Sequence, residues 1–553
     1  MEMESKITLF YGTFVDLPRV EYGWKHELSI RHGALWVSSS TGRITGSDWS
    51  IANESDLQSL IKKNGWHGIQ IVRAREEQNE FFFPGFIDTH IHAPQYPNSG
   101  LFGSSTLLDW LATYTFPLES ALSDTALAHT TYNTVISRTL ANGTTCASYY
   151  ATIHVQSTNL LASLCHSRGQ RALIGRVCMD NPSFCPEYYR DESAQDSITK
   201  SRETIAHIHA LESNVKEEER LVKPILTPRF APTCSTHALS ELGRLAKEYT
   251  PPLHIQTHIS ENLSELDLVK SLFPDHPSYA AVYDACALLT PRTILAHAVH
   301  LTPSEKKLIA SRKTKISHCP SSNSALGSGL APICDLLDRG ITVGLGTDVS
   351  GGYSPSILEA VRQACLVSRL LRHTKRPAKA SSEESTAIAG PKPGSDDTEG
   401  EMDGSEVLSV EEALYLATRG GAAVVDLPND LGGFEDGMFW DVQLIRLGPG
   451  IPSESDWAKD GARAVDSSSD SAVDIFGWET WSEKVHKWVW TGNDRNVRRV
   501  WVRGVLVHEL DDGCTGERSL FGLRSVQDLA RWTVGALGVA ALGLILGKRF
   551  LCE

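Results

Sequence analysis

PGFIDTHIHAPQYPNS, residues 84–99, ends a short apolar stretch in two histidines, His90 and His92. Extended backbone repeats its side-chain direction every second residue, so both imidazoles project from one face. Two imidazoles at fixed spacing make half of a metal site. A histidine-rich loop without a ligand would read the same in isolation. The rest of the chain must therefore supply the partners.

Seven further apolar runs follow, at 143–151, 171–179, 223–230, 252–260, 293–301, 314–320 and 341–348. Each leads through turn residues into a helix-like stretch. Eight strand–helix units at this length predict an α/β fold, a (β/α)8 TIM-like barrel. An open doubly wound sheet is the alternative.

Short strand-like runs with turns flank this centre. ITLFYGTFV, GALWV and RITG precede it; Phe439–Leu447 and Val500–Val507 follow. The expected division is a composite β-sandwich domain from 6–82 and 431–510, around a metal-dependent barrel from 83–373 and 407–430. Residues 374–406 read as a disordered acidic insertion, because their Pro, Gly, Ser and acid cannot build a core. Ser381–Glu406 alone holds eight acids and one lysine, a net of −7. Order is expected to resume at Ser409, where Ser-Val-Glu-Glu is a capping box opening a helix. A second loose loop is expected near 450–472.

The chain has 553 residues, 41% of them hydrophobic, as a soluble globular protein does. Its net charge of −15 argues against sequence-independent nucleic-acid binding. Eleven cysteines without a CxxC pair read as buried thiols in a reducing compartment. The N-terminus has no basic segment followed by an apolar one, so no secretory signal is expected and the cytosol is the expected location. The C-terminal extension, 512–553, contains 16 uncharged residues from Trp532 to Gly547. As a helix these span ~24 Å, short of the ~30 Å hydrocarbon core. Flanking residues could extend the helix to 532–551, making it either a membrane anchor or a packed helix.

The chemistry gathers at predicted strand ends, which form the catalytic face of such a barrel. Strand five ends in His258, with Ser260 and Glu261 just beyond; strand six ends at His297; strand eight ends at Asp348. His90, His92, His258 and Asp348 form a nitrogen–carboxylate set that suits Zn2+, one per subunit, with ferrous iron as the alternative. A second metal would need a bridging lysine at the end of strand four. That end reads Leu226-Thr227-Pro228-Arg229, and Lys223 is at the wrong end. One divalent metal lowers the pKa of a bound water toward ~7. Asp348 can act as ligand and as base, His297 can orient the water or add a ligand, and Glu261 can carry protons. An acid at position 261 could instead serve a helix N-terminus.

These motifs together resemble the guanine deaminases of the amidohydrolase superfamily, over about residues 6–375 and 405–510. PGFIDTHIHAPQYPNSG, LLDWLATYTFPLE, NGTTCASYYATIH, VCMD, LTPRF, HISEN, HCPSSN and GLGTDVSGGYS occur in the family's order. HxH and TD mark only the superfamily; HAPQY, TYTFP and TPRF are narrower. The resemblance implies zinc on His90, His92, His258 and Asp348, and Glu261 as proton shuttle. It implies purine recognition by Gln95, Arg229 and Phe230, with His258 and Glu261 also against the base. The residue chemistry agrees: Arg229 offers donors to a carbonyl, Phe230 a ring face, and Gln95 both a donor and an acceptor. Leu101 and Trp110 are expected as further pocket walls. The implied reaction is hydrolysis of guanine to xanthine and ammonia by a homodimer. The alternatives are an aminohydrolase for adenosine, cytosine, a pterin or a triazine, and an inactive barrel scaffold.

Overall fold

The computed structural model describes residues 7–19, 23–374, 407–451 and 471–510. The acidic insertion beyond Thr374, nearly all of the loop expected near 450–472 and the extension with its helix at 532–551 lie outside these residues. Among the described residues, no helix is long and apolar enough to cross a membrane. Nine cysteines lie among them, all free and buried.

Five strands precede the barrel: β1 (Ile7–Asp16), β2 (Ser29–Ser38), β3 (Ile44–Asp48), β4 (Gln70–Arg73) and β5 (Glu80–Pro84). β1 pairs antiparallel with β2 and parallel with β4 and β5, and β3 pairs with β2. At Gly85 the chain leaves this sheet and β6 (Phe86–His92) enters the barrel.

The barrel continues with β7 (Thr144–Tyr150), β8 (Arg171–Gly175), the two-residue β9 (Val177–Cys178) and β10 (Val222–Pro228). It ends with β11 (His254–Ile259), β12 (Thr293–His297), β13 (Lys315–His318) and β14 (Val343–Leu345). Eight of these strands, β6 to β14 without β9, pair in parallel in chain order; β9 adds to the edge of β10. Each lies within a residue of an expected apolar run. Parallel strands covered on both faces must be apolar along their whole length, which is why these runs read as continuous. β6, β7, β8 and β10 are buried at every position.

The last gap in the barrel is bridged by the site-bearing segments themselves. The Asp348 N–H donates to the His90 carbonyl at 2.8 Å, and the His92 N–H donates to the Val349 carbonyl at 3.1 Å. Gly346 permits this approach, since a Cβ there would stand 2.6 Å from Ser317 Oγ and 2.8 Å from His90 Cβ. The helix after Ser409 opens with the expected capping box and continues through a wider π turn at Leu416–Gly420 to Val424, packing over β14 and β6.

The chain then returns to the first sheet. β15 (Val442–Arg446) pairs antiparallel with β5, and β16 (Val497–Val502) and β17 (Val505–Glu509) follow outward. Val500–Val507, expected as one strand, is instead the turn of this hairpin. Arg503 and Gly504 take left-handed φ values of 52° and 74°, which two-residue hairpin turns demand. Strands from both chain ends enclose Phe10, Phe14, Phe82, Trp440 and Trp501, an aromatic core consistent with the expected sandwich.

Candidate active site

Four strand ends deliver a cluster of imidazoles and one carboxylate. Ligand atoms of His90, His258, His297 and Asp348 all lie within 4.8 Å of one another. His92 joins them: its Nε2 is 3.3 Å from His90 Nε2, 3.2 Å from His258 Nε2 and 3.4 Å from Asp348 Oδ1. Asp348 Oδ1 is also 3.1 Å from His90 Nε2. Burial lowers the pKa of His90, His92 and His258, so each keeps a neutral ring with a free lone pair. Burial alone would raise Asp348; its hydrogen-bonding contact with His90 first, and then the charge favoured on His297, hold it far below the carboxylate range instead.

Nitrogen lone pairs turned toward one another in a buried space need a cation between them. Outer contacts aim them there. The His258 Nδ1–H donates to the Arg229 carbonyl at 2.6 Å, which leaves Nε2 as the lone-pair nitrogen. Asp88 accepts from Thr347 Oγ1 at 2.5 Å and from the backbone N–H of Thr347 and His90 at 3.1 and 3.2 Å, tying β14 to β6. His92 Nδ1 and His297 Nε2 are buried without a hydrogen-bond partner. The donor set fits a single divalent metal.

Glu261 stands beside this set. Its carboxyl is 3.5 Å from His297 Nε2 and accepts from Ser328 Oγ at 3.0 Å. Burial pushes its pKa up to about 7, which lets it both take and give a proton near neutrality. The alternative of a helix N-terminal acid is filled by another residue. Helix Leu263–Leu272 is capped by Asn262, and Glu265 supplies the reciprocal carboxylate to the Asn262 and Glu261 N–H groups. His297 donates from Nδ1 to Asn323 Oδ1 at 2.8 Å, turning Nε2 toward Glu261 and Asp348. Burial opposes its charge, but Glu261 and Asp348 outweigh it and raise its pKa.

A cleft opens over these groups. Gln95, Trp110, Arg229 and Phe230 line it together with His92, His258, Glu261, His297 and Asp348. Leu101 does not. It follows the left-handed Gly100 in an irregular loop and is 53% exposed. Leu107, Leu111 and Leu326 take the apolar wall positions instead. Lys223 sits near the start of β10, at the opposite end from Arg229.

Sequence reading passed over three contributors. Tyr150, at the end of β7, packs its ring 4.5–5.0 Å from those of His90, His92 and His258. Asp88 lies two residues before His90 and was visible as the acid of FIDTHIH. Glu119 closes the motif TYTFPLE but carried no chemistry until its partners were in place.

The Amidohydrolase family model matches residues 81–389. A probable guanine deaminase of Schizosaccharomyces pombe is 47% identical over 90% of this chain and 83% of its own length. The guanine deaminase of Rattus norvegicus is 36% identical over 90% of this chain and 95% of its own. Among solved structures, guanine deaminase from C. acetobutylicum with bound guanine superposes with a TM-score of 0.70 at 28% identity, covering 91% of this chain and all of that one. The chain belongs to the amidohydrolase family and, within it, to the guanine deaminases.

Proposed function

We propose that this protein hydrolyses guanine to xanthine and ammonia, using one Zn2+ held by His90, His92, His258 and Asp348. The observation that carries this is the cluster of His90, His92, His258 and Asp348 beside a cleft that Gln95, Arg229 and Phe230 line. The relatives named guanine deaminase, and the guanine-bound structure among them, support the substrate. Bound metal supplies an activated water near neutral pH. Phe230, with its edge-on packing against Phe184, offers a fixed ring face to the planar base. Arg229 donates to the purine carbonyl, and Gln95 holds the amide-like edge. Glu261 takes a proton from the attacking water and delivers it to the ring nitrogen; it then takes the remaining hydroxyl proton of the adduct and passes it to the leaving amine, as the C2–N bond breaks and the carbonyl forms. His297, held by Asn323, steadies that transfer.

The working domain division is the composite sheet (6–82 and 431–510) around the barrel (83–373 and 407–430). A cytosolic homodimer is the accompanying expectation. The test is metal assay with product identification on purified full-length protein. Guanine should yield xanthine and ammonia, with about one zinc per chain. Faster turnover of adenosine, cytosine, a pterin or a triazine would replace this reading with another barrel aminohydrolase. A metal-free, inactive protein would point to the scaffold. Unchanged guanine turnover in Arg229→Ala would remove the recognition role of Arg229.

A further inference from the structure

Glu119 is completely buried in the short helix Phe116–Ala121 and does not line the cleft. Both of its oxygens are nevertheless committed to residues that do. Oε2 accepts from Arg229 Nη1 at 2.7 Å and from the Tyr189 hydroxyl at 2.7 Å. Oε1 accepts from Arg229 Nη2 at 3.1 Å and from Gln95 Nε2 at 2.8 Å. One carboxylate thus grips two side chains that arrive from different strand ends.

The consequence for Gln95 is directional. Its Nε2 faces Glu119, while its Oε1 accepts from the Ser350 N–H at 3.2 Å. A flipped carboxamide would set oxygen against carboxylate and NH2 against N–H, losing both bonds. Glu119 therefore decides which edge of the amide faces the cleft. Arg229 is held in a two-pronged grip, with its guanidinium 5.3 Å from the Phe116 ring. The guanidinium is thereby aimed, and its charge is balanced before any ligand arrives. The cleft then presents directed N–H donors without an unpaired positive charge, which favours a neutral carbonyl.

We propose that Glu119 is a positioning residue for base selection, fixing Gln95 and Arg229 so that the cleft prefers a purine carrying a carbonyl at the Arg229 edge. This rests on the reading that Gln95 and Arg229 hold the purine. The test compares guanine with 2-aminopurine, which keeps the 2-amino group and lacks the 6-carbonyl. The readout is the ratio of kcat/KM values or, where 2-aminopurine turns over too slowly, its inhibition constant. Glu119→Gln keeps the shape but turns an N–H toward one of its donors. It should lower kcat/KM for guanine about 10- to 100-fold while changing 2-aminopurine by about threefold or less, with metal content retained. In an Arg229→Ala background the same substitution should no longer alter the ratio. Tyr189→Phe removes the bond to Glu119, and with it the one accepted from the Ile153 N–H, but leaves the ion pair; it should shift the ratio about threefold in the same direction. It decides the case if Glu119→Gln does not fold. Equal losses on both bases, or an unchanged ratio in both variants, overturn the proposal. A wild-type protein inactive on guanine overturns the purine-site reading itself, and the Glu119 assignment with it.

Discussion

The two ends of the barrel treat buried charge in opposite ways. At the strand starts, charges meet partners. Arg171 of β8 donates to Asp441 from Nε at 3.0 Å and from Nη2 at 3.3 Å, and Asp441 also accepts from the Arg503 N–H at 2.8 Å. Asp426 receives His254 Nε2 at 2.9 Å and Lys315 Nζ. These contacts fasten the composite sheet and the last barrel helix to the strands. At the strand ends, imidazole nitrogens crowd to 3.2 and 3.3 Å, and the buried His92 Nδ1 and His297 Nε2 make no hydrogen bond. His297 and Asp348 hold left-handed φ values of 73° and 49° there. One end balances its charges within the chain. The other is arranged for a metal and a substrate, and its strained backbone is retained because the closed barrel over-determines it.

The sharpest way to break this contrast is His258→Ala, which should abolish both metal binding and turnover; full metal content in that variant would dissolve the ligand set. Glu261→Gln comes next. It should keep metal and guanine binding while kcat falls by about 10²–10⁴-fold, the usual range for a lost general acid–base. Near-normal kcat removes Glu261 from proton transfer. At the other end, Asp441→Ala leaves the buried Arg171 guanidinium uncompensated. Chemical denaturation should show a loss of about 3–5 kcal/mol, with metal stoichiometry unchanged in the folded protein. A variant that lost metal as readily as stability would mean the two ends are not separable.

The smallest effect is a pH slope. Burial lowers the pKa of His254 to about 4, from the ordinary histidine value of 6.5. Between those values the unfolded chain binds a proton that the folded chain refuses. The stabilising contribution is therefore full above pH 6.5 and is lost as pH falls toward 4. The slope is about 1.4 kcal/mol per pH unit. His254→Gln should flatten the pH 7 to pH 5 dependence of the denaturation midpoint relative to wild type. Identical slopes would show that His254 takes a proton in the fold.

The eight barrel strands were legible because parallel strands buried on both faces leave continuous apolar runs, and the site was legible because the polar residues ending those runs stand out. Val500–Val507 was misread for the same reason: apolar character continues through Arg503-Gly504, and only the left-handed pair reveals the turn. Leu101 was misplaced because position in a motif does not say which way a loop folds. Its apolar neighbours Leu107 and Leu111 reached the cleft while it faced solvent.

The sequence by itself determined the repeating strand–helix order, the ligand types and their attachment to strand ends, since these depend on local periodicity and residue chemistry. Tertiary structure alone decided that the backbone of Asp348 bridges the barrel onto β6. It alone decided that Glu265 rather than Glu261 caps the following helix, and that Glu119 grips Gln95 and Arg229 across 24 and 110 residues of chain. Such contacts join segments remote in sequence. Their geometry comes from barrel closure, which no local pattern encodes.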